Sequence, residues 1–205
     1  MKKKIVQMTL ILIFLLINPI IIKAADVYII YDNPNGFNSQ GRQMATHYSL
    51  EYEMYYVRSS SDFIRTWNYL ASRSKNIDNL ILMLHGGKGV LYFYNESGWN
   101  NFLQLKYMGN KIRGNILLLS CHGGSDGANS VATKLSKRSN TSVICAKDCS
   151  VNYDYISKSP FLSDLKNGRW IKTYVNGNQI RTSILGYIWD YKYLWHYNPY
   201  NYSYK

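Results

Sequence analysis

LILMLHGGKG (residues 80–89) and ILLLSCHGGSDG (residues 116–127) decide how the chain is read. Each begins as an aliphatic run of strand length and stops abruptly on polar and glycine residues. The first stops at His85-Gly86-Gly87 and the second at Cys121-His122-Gly123-Gly124. Short apolar runs that do not alternate, bounded by turn residues, have the pattern of strands buried on both faces of a parallel sheet. The flanks of the two stretches differ beyond the aliphatic runs, so they are not an internal repeat.

Outward from this pair, further apolar runs alternate with segments of helical period, which argues for parallel strands joined by crossover helices. VYIIYD (residues 27–32) reads as the first strand. A loop rich in Asn, Pro and Gly follows, then a helix of about fifteen residues from Gln40. EMYYVRS reads as the second strand and Ser60-Ser61-Asp62 as an N-cap. FIRTWNYLAS then sets Phe63, Trp67, Leu70 and Ala71 on one helical face. NLILML is the third strand, GVLYFYN a small ribbon, Ser97-Gly98-Trp99 the start of a short helix, and NILLL the fourth strand. SVATKLSKRS reads as the next helix and TSVICAK as the fifth strand. Asn176-Gly177 lies between strand-rich runs and favours a tight hairpin turn. From Tyr187 onward Tyr, Trp and Asn dominate, a composition suited to stacking on sugars or peptides, or to covering a sheet edge.

Lys2, Lys3 and Lys4 precede an apolar run from Leu10 to Ile22 that closes on Lys23-Ala24-Ala25, so residues 1–25 read as a secretory signal peptide. The remainder, residues 26–205, suits a single domain with a well-buried core, residues 165–205 forming a strand- and aromatic-rich C-terminal extension. The formal net charge is +12, and four of the lysines lie in the signal segment. Such a charge favours anionic surfaces such as cell-wall polymers, lipid headgroups or nucleic acid. The remaining Lys and Arg are scattered, so we expect a soluble basic surface, contact with anionic cell surfaces and no nucleic-acid partner. Three cysteines are an odd number for an exported protein. Cys145 and Cys149 either pair across a small loop or remain reduced and buried, and Cys121 is free. Spaced Cys/His pairs of zinc type do not occur, so no metal and no cofactor is expected.

In an open parallel sheet, ligands collect outside the carboxyl ends of the strands, and both His85 and Cys121 fall there. A thiolate is a reactive nucleophile, and an imidazole beside it can take its proton or protonate a leaving amine. Acyl transfer also needs backbone N–H groups aimed at the oxyanion. The amides of Gly86 and Cys121 are the natural donors, a side chain at Gly86 being expected to crowd the substrate carbonyl. Asp32 ends the first strand and faces the same site, where it lines a substrate pocket or serves a turn or helix cap. His122 is expected to point away into the following loop.

The order strand, His-Gly, crossover, strand, small residue, Cys resembles the caspase-like cysteine peptidases, which include caspases, metacaspases, clostripain and gingipains. SCHGG is similar to the metacaspase pattern of aspartate, small residue, Cys, His, Ser, Gly, and shares the Cys-x-Gly core of the caspase signature. The resemblance covers residues 26 to 150. It implies a three-layer α/β sandwich with a mostly parallel sheet, to which a C-terminal β-hairpin extension is added here. It also implies a secreted, extracellular endopeptidase acting on peptide or protein substrates with a His85–Cys121 dyad and an oxyanion hole at the Gly86 and Cys121 amides. Leu119 departs from the pattern: metacaspases carry there the aspartate that supports a basic side chain before the scissile bond, and caspases a glutamine. Two other readings compete. HGG after a strand resembles the oxyanion motif of α/β-hydrolase esterases, which would need Asp164 or Asp190 with His196. The chain could also be a non-catalytic caspase-like binding module or toxin component.

Overall fold

A computed structural model of the chain describes residues 27–182, apart from residues 34, 48–50, 95, 157, 158 and 165. In chain order the elements are β1 (Val27–Tyr31), α1 (Phe37–His47), β2 (Tyr52–Tyr56), α2 (Ser60–Ser72) and β3 (Asn79–Met83). The short strands β4 (His85–Gly87), β5 (Val90–Phe93) and β6 (Glu96–Trp99) follow, with a 3₁₀ turn at Phe102–Gln104. β7 (Ile116–Leu119), α3 (Val131–Ser139) and β8 (Val143–Lys147) come next, and then β9 (Val151–Asp154), β10 (Ser159–Leu162), β11 (Arg169–Thr173) and β12 (Gln179–Arg181).

The main sheet has the order β12-β11-β8-β7-β3-β1-β2. β2, β1, β3, β7 and β8 run parallel, whereas β11 is antiparallel to β8 and β12 to β11. The fold is therefore α/β with a mostly parallel, mixed seven-stranded sheet. Successive side chains of a strand point to opposite faces. Leu80 and Leu82 of β3 and Ile116 and Leu118 of β7 join Phe63, Trp67 and Leu70 of α2 and Leu135 of α3 in one core. Ile81, Met83, Leu117 and Leu119 join Met44 and Ala45 of α1 in another on the opposite face. Both sheet faces are covered, which is why these strands read as unbroken aliphatic runs.

Local signals explain most boundaries. The Ser59 side chain accepts a hydrogen bond from the Asp62 amide and caps α2, one residue earlier than the serine pair expected from the sequence. Ser130 caps α3 in the same way through the Thr133 amide. α1 begins at Phe37, three residues before its expected start, because Asn33 Oδ1 accepts from the Asn35 and Gly36 amides and closes a turn there. The hairpin at Asn176-Gly177 forms, and its strands β11 and β12 extend the main sheet itself. Ser97-Gly98-Trp99 does not start a helix. It lies in β6, whose pairing with β5 packs Trp99 against Phe63 and Phe102 and outweighs a weak local helix signal. The β9–β10 ribbon is an element the sequence reading did not include. Residues 1–26, which include the expected signal peptide (residues 1–25), and the aromatic tail from Tyr187 lie outside the described residues. No helix among the described residues is long and apolar enough to cross a membrane.

Candidate active site

β3 pairs with β7 so that Met83 lies beside Leu119, and His85 and Cys121 each stand two residues further on. Their backbones thus emerge from neighbouring parallel strands, which lie about 4.8 Å apart. β1 and β3 are also the strands at which the order reverses: the connection through α1 covers one face and the connection through α2 the other. That switch point, outside the carboxyl ends of the strands, is where open α/β sheets hold ligands.

A cleft of about 240 Å³ lies there, and His85 and Cys121 both line it. Its floor comes from the sheet through Met83, Leu84 and Leu119; one side comes from Phe37 and Gln40 of α1, the other from Val151, Asn152, Tyr153 and Pro160 of the β9–β10 ribbon. The ribbon and Phe37 were not singled out from the sequence. VNYDY alternates apolar and polar residues at period two and carries the strand signal for β9. No local pattern marks Phe37, whose place over His85 follows from the Asn33 turn.

His85 is held from two directions. Its backbone amide donates to Asp32 Oδ2 at 2.8 Å, and its ring Nδ1 lies 3.0 and 3.1 Å from the two carboxylate oxygens. The Phe37 ring packs on the imidazole with centroids 5.0 Å apart. The Asp32 side chain is 2% exposed and that of His85 57%. A buried carboxylate facing a ring nitrogen fixes Nδ1 as a donor and leaves Nε2 as the basic atom. Nε2 has no hydrogen-bond partner among the described residues. The hydrogen bond to Asp32 raises the pKa of His85 above the ordinary imidazole value, against an opposing effect of burial. The Asp32 carboxylate is turned to the imidazole, and Asp32 is not among the residues that line the cleft.

Cys121 is half-buried, free, and located in the turn after β7. Its amide has no hydrogen-bond partner among the described residues, as an oxyanion donor requires. His122 adopts a left-handed backbone (φ 54°), donates its amide to the Cys149 carbonyl and does not line the cleft. Gly86 has a different steric reason from the one expected. A Cβ there would run into Oγ of Ser120, the residue just before the cysteine, so a larger residue at 86 would force the buried Ser120 side chain to shift. Gly124 plays the same part on the other side, its Cα hydrogens facing Ile171 and Cys145. Cys145 and Cys149 are reduced and buried and form no disulfide. Burial pushes the Cys145 thiol up to about 12 and raises that of Cys149. Asp164 closes a turn through the Lys166 and Asn167 amides, and Asp190 and His196 lie outside the described residues. Among the described residues no group of three or more His, Cys, Asp or Glu could hold a metal ion.

No protein-family model matches the chain, and comparison with characterised proteins finds no match.

Proposed function

We propose that this chain is a caspase-like cysteine endopeptidase, exported by residues 1–25 and acting outside the cell on peptide or protein substrates. One observation carries the reading: a nucleophile and an imidazole held by a buried carboxylate line one cleft at the carboxyl ends of neighbouring parallel strands. His85 Nε2 takes the Cys121 proton, and the thiolate attacks the scissile carbonyl. The resulting imidazolium, stabilised by Asp32, protonates the leaving amine. The Cys121 amide, with that of Gly86, receives the oxyanion. Water, deprotonated by His85, then releases the acyl group. A mostly parallel sheet covered on both faces agrees with the architecture that the motif resemblance implies.

The test is digestion of a peptide library by the purified protein, with cut sites read by mass spectrometry beside a Cys121→Ala control. Iodoacetamide should alkylate Cys121 and abolish cleavage, and His85→Ala should slow it by about 10²- to 10⁴-fold. Retained cleavage in Cys121→Ala would sink the reading. An unreactive Cys121 with intact binding of a peptide or surface ligand would indicate a non-catalytic module.

A further inference from the structure

We infer that the cleft accepts an uncharged, apolar side chain on the residue whose carbonyl Cys121 attacks, a substrate preference that rests on the peptidase reading. That side chain lies next to the nucleophile, and the space next to Cys121 is the 240 Å³ cleft. Ligand pockets for small molecules run from about 300 to 1,000 Å³, so this volume suits a single side chain. Its floor is apolar: Met83 and Leu119 occupy the last positions of β3 and β7 and are 2% and 5% exposed. Val151 lines the ribbon side. No residue that lines the cleft carries a carboxylate, ammonium or guanidinium group. The acid at these strand ends, Asp32, is buried with its oxygens turned to His85. At the rim Gln40 donates from Nε2 to Tyr155 Oη at 3.1 Å, a contact between two uncharged polar groups.

A lysine, arginine, aspartate or glutamate side chain placed here would lose its hydration with no opposite charge to meet it. A leucine, methionine or phenylalanine side chain would exchange water for Leu119, Met83 and Val151. The apolar floor therefore both favours one class and rejects the other. Leu119 is central because it stands two residues before the nucleophile and faces the cleft from the sheet.

The experiment uses the full chain with matched peptide substrates that differ only at the residue before the scissile bond. Cleavage after Leu, Met or Phe should exceed cleavage after Lys, Arg, Asp or Glu by at least about 100-fold in kcat/KM. Gln40→Glu sets a carboxylate at the rim, where the Tyr155 hydroxyl can turn to donate to it. It should raise cleavage after Lys and Arg about tenfold relative to the parent. Cys121-dependent cleavage mainly after charged residues overturns the preference and leaves the peptidase reading standing. A Gln40→Glu profile identical to the parent's also overturns it, by showing that the specificity-determining space is elsewhere. No Cys121-dependent cleavage of any peptide by protein shown to be folded by its thermal transition overturns both.

Discussion

Asp32→Asn isolates what the buried carboxylate does for His85. The substitution keeps the shape and one acceptor oxygen, so the bond from the His85 backbone amide at 2.8 Å can survive. The other side-chain atom becomes an amide donor facing Nδ1, 3.0 Å away. The ring must then present Nδ1 as an acceptor and carry its proton on Nε2, where it can no longer take one from Cys121. A hydrogen bond to a charged group contributes about 1.5–3 kcal/mol. Its loss corresponds to about a ten- to hundred-fold fall in kcat/KM, with KM little changed because Asp32 does not reach the substrate. The NMR titration of the His85 ring gives an independent reading. Its folded pKa lies above the ordinary imidazole value and should fall in the variant, since the raising partner is gone and burial remains. The sign for stability follows. A raised imidazole pKa stabilises the fold fully below the unfolded value of about 6.5, and that contribution is lost as pH rises through the folded value. Parent and variant should therefore differ more in denaturant midpoint near about pH 5.5 than near about pH 9. The difference should be at most about 1 kcal/mol, because His85 is more than half exposed and the pair is screened. Activity within about twofold of the parent's, with an unmoved His85 titration, would refute the positioning role assigned to Asp32.

Gly86→Ala forces a methyl group into Ser120 Oγ and should destabilise the fold by about 1–3 kcal/mol in urea denaturation. Ser120→Ala should restore much of that loss and alone be close to neutral, since the Ser120 hydroxyl is buried with no hydrogen-bond partner among the described residues. Trp67→Ala should lower stability by about 3–5 kcal/mol, because the indole is fully buried in the α2 core and its Nε1 donates to the Lys106 carbonyl at 2.9 Å. Iodoacetamide at neutral pH should label Cys121 in the folded protein and reach Cys145 only after unfolding, as peptide mapping will show. Cys145 is buried and its pKa is pushed up to about 12.

The aliphatic runs ending at His85 and Cys121 were legible because a strand buried on both faces must be apolar at every position, which leaves a mark in consecutive residues. The hairpin at Asn176-Gly177 was legible for a similar reason, its turn depending on two adjacent residues. Ser97-Gly98-Trp99 was misread because its conformation depends on a partner strand and on Phe63, far away in sequence. The role of Asp32 was hidden for the same physical reason. Fifty-three residues separate it from His85, and only the parallel pairing of β1 with β3 turns its carboxylate to the imidazole. By itself the sequence determined the strand-end placement of a histidine and a cysteine and the apolar character of Leu119. The tertiary structure decided that Asp32 holds the ring, that Phe37 and the β9–β10 ribbon wall the cleft, and that Gly86 is glycine because Ser120 lies against it. Those are contacts between distant segments, whose energies appear only once the sheet has brought the segments together.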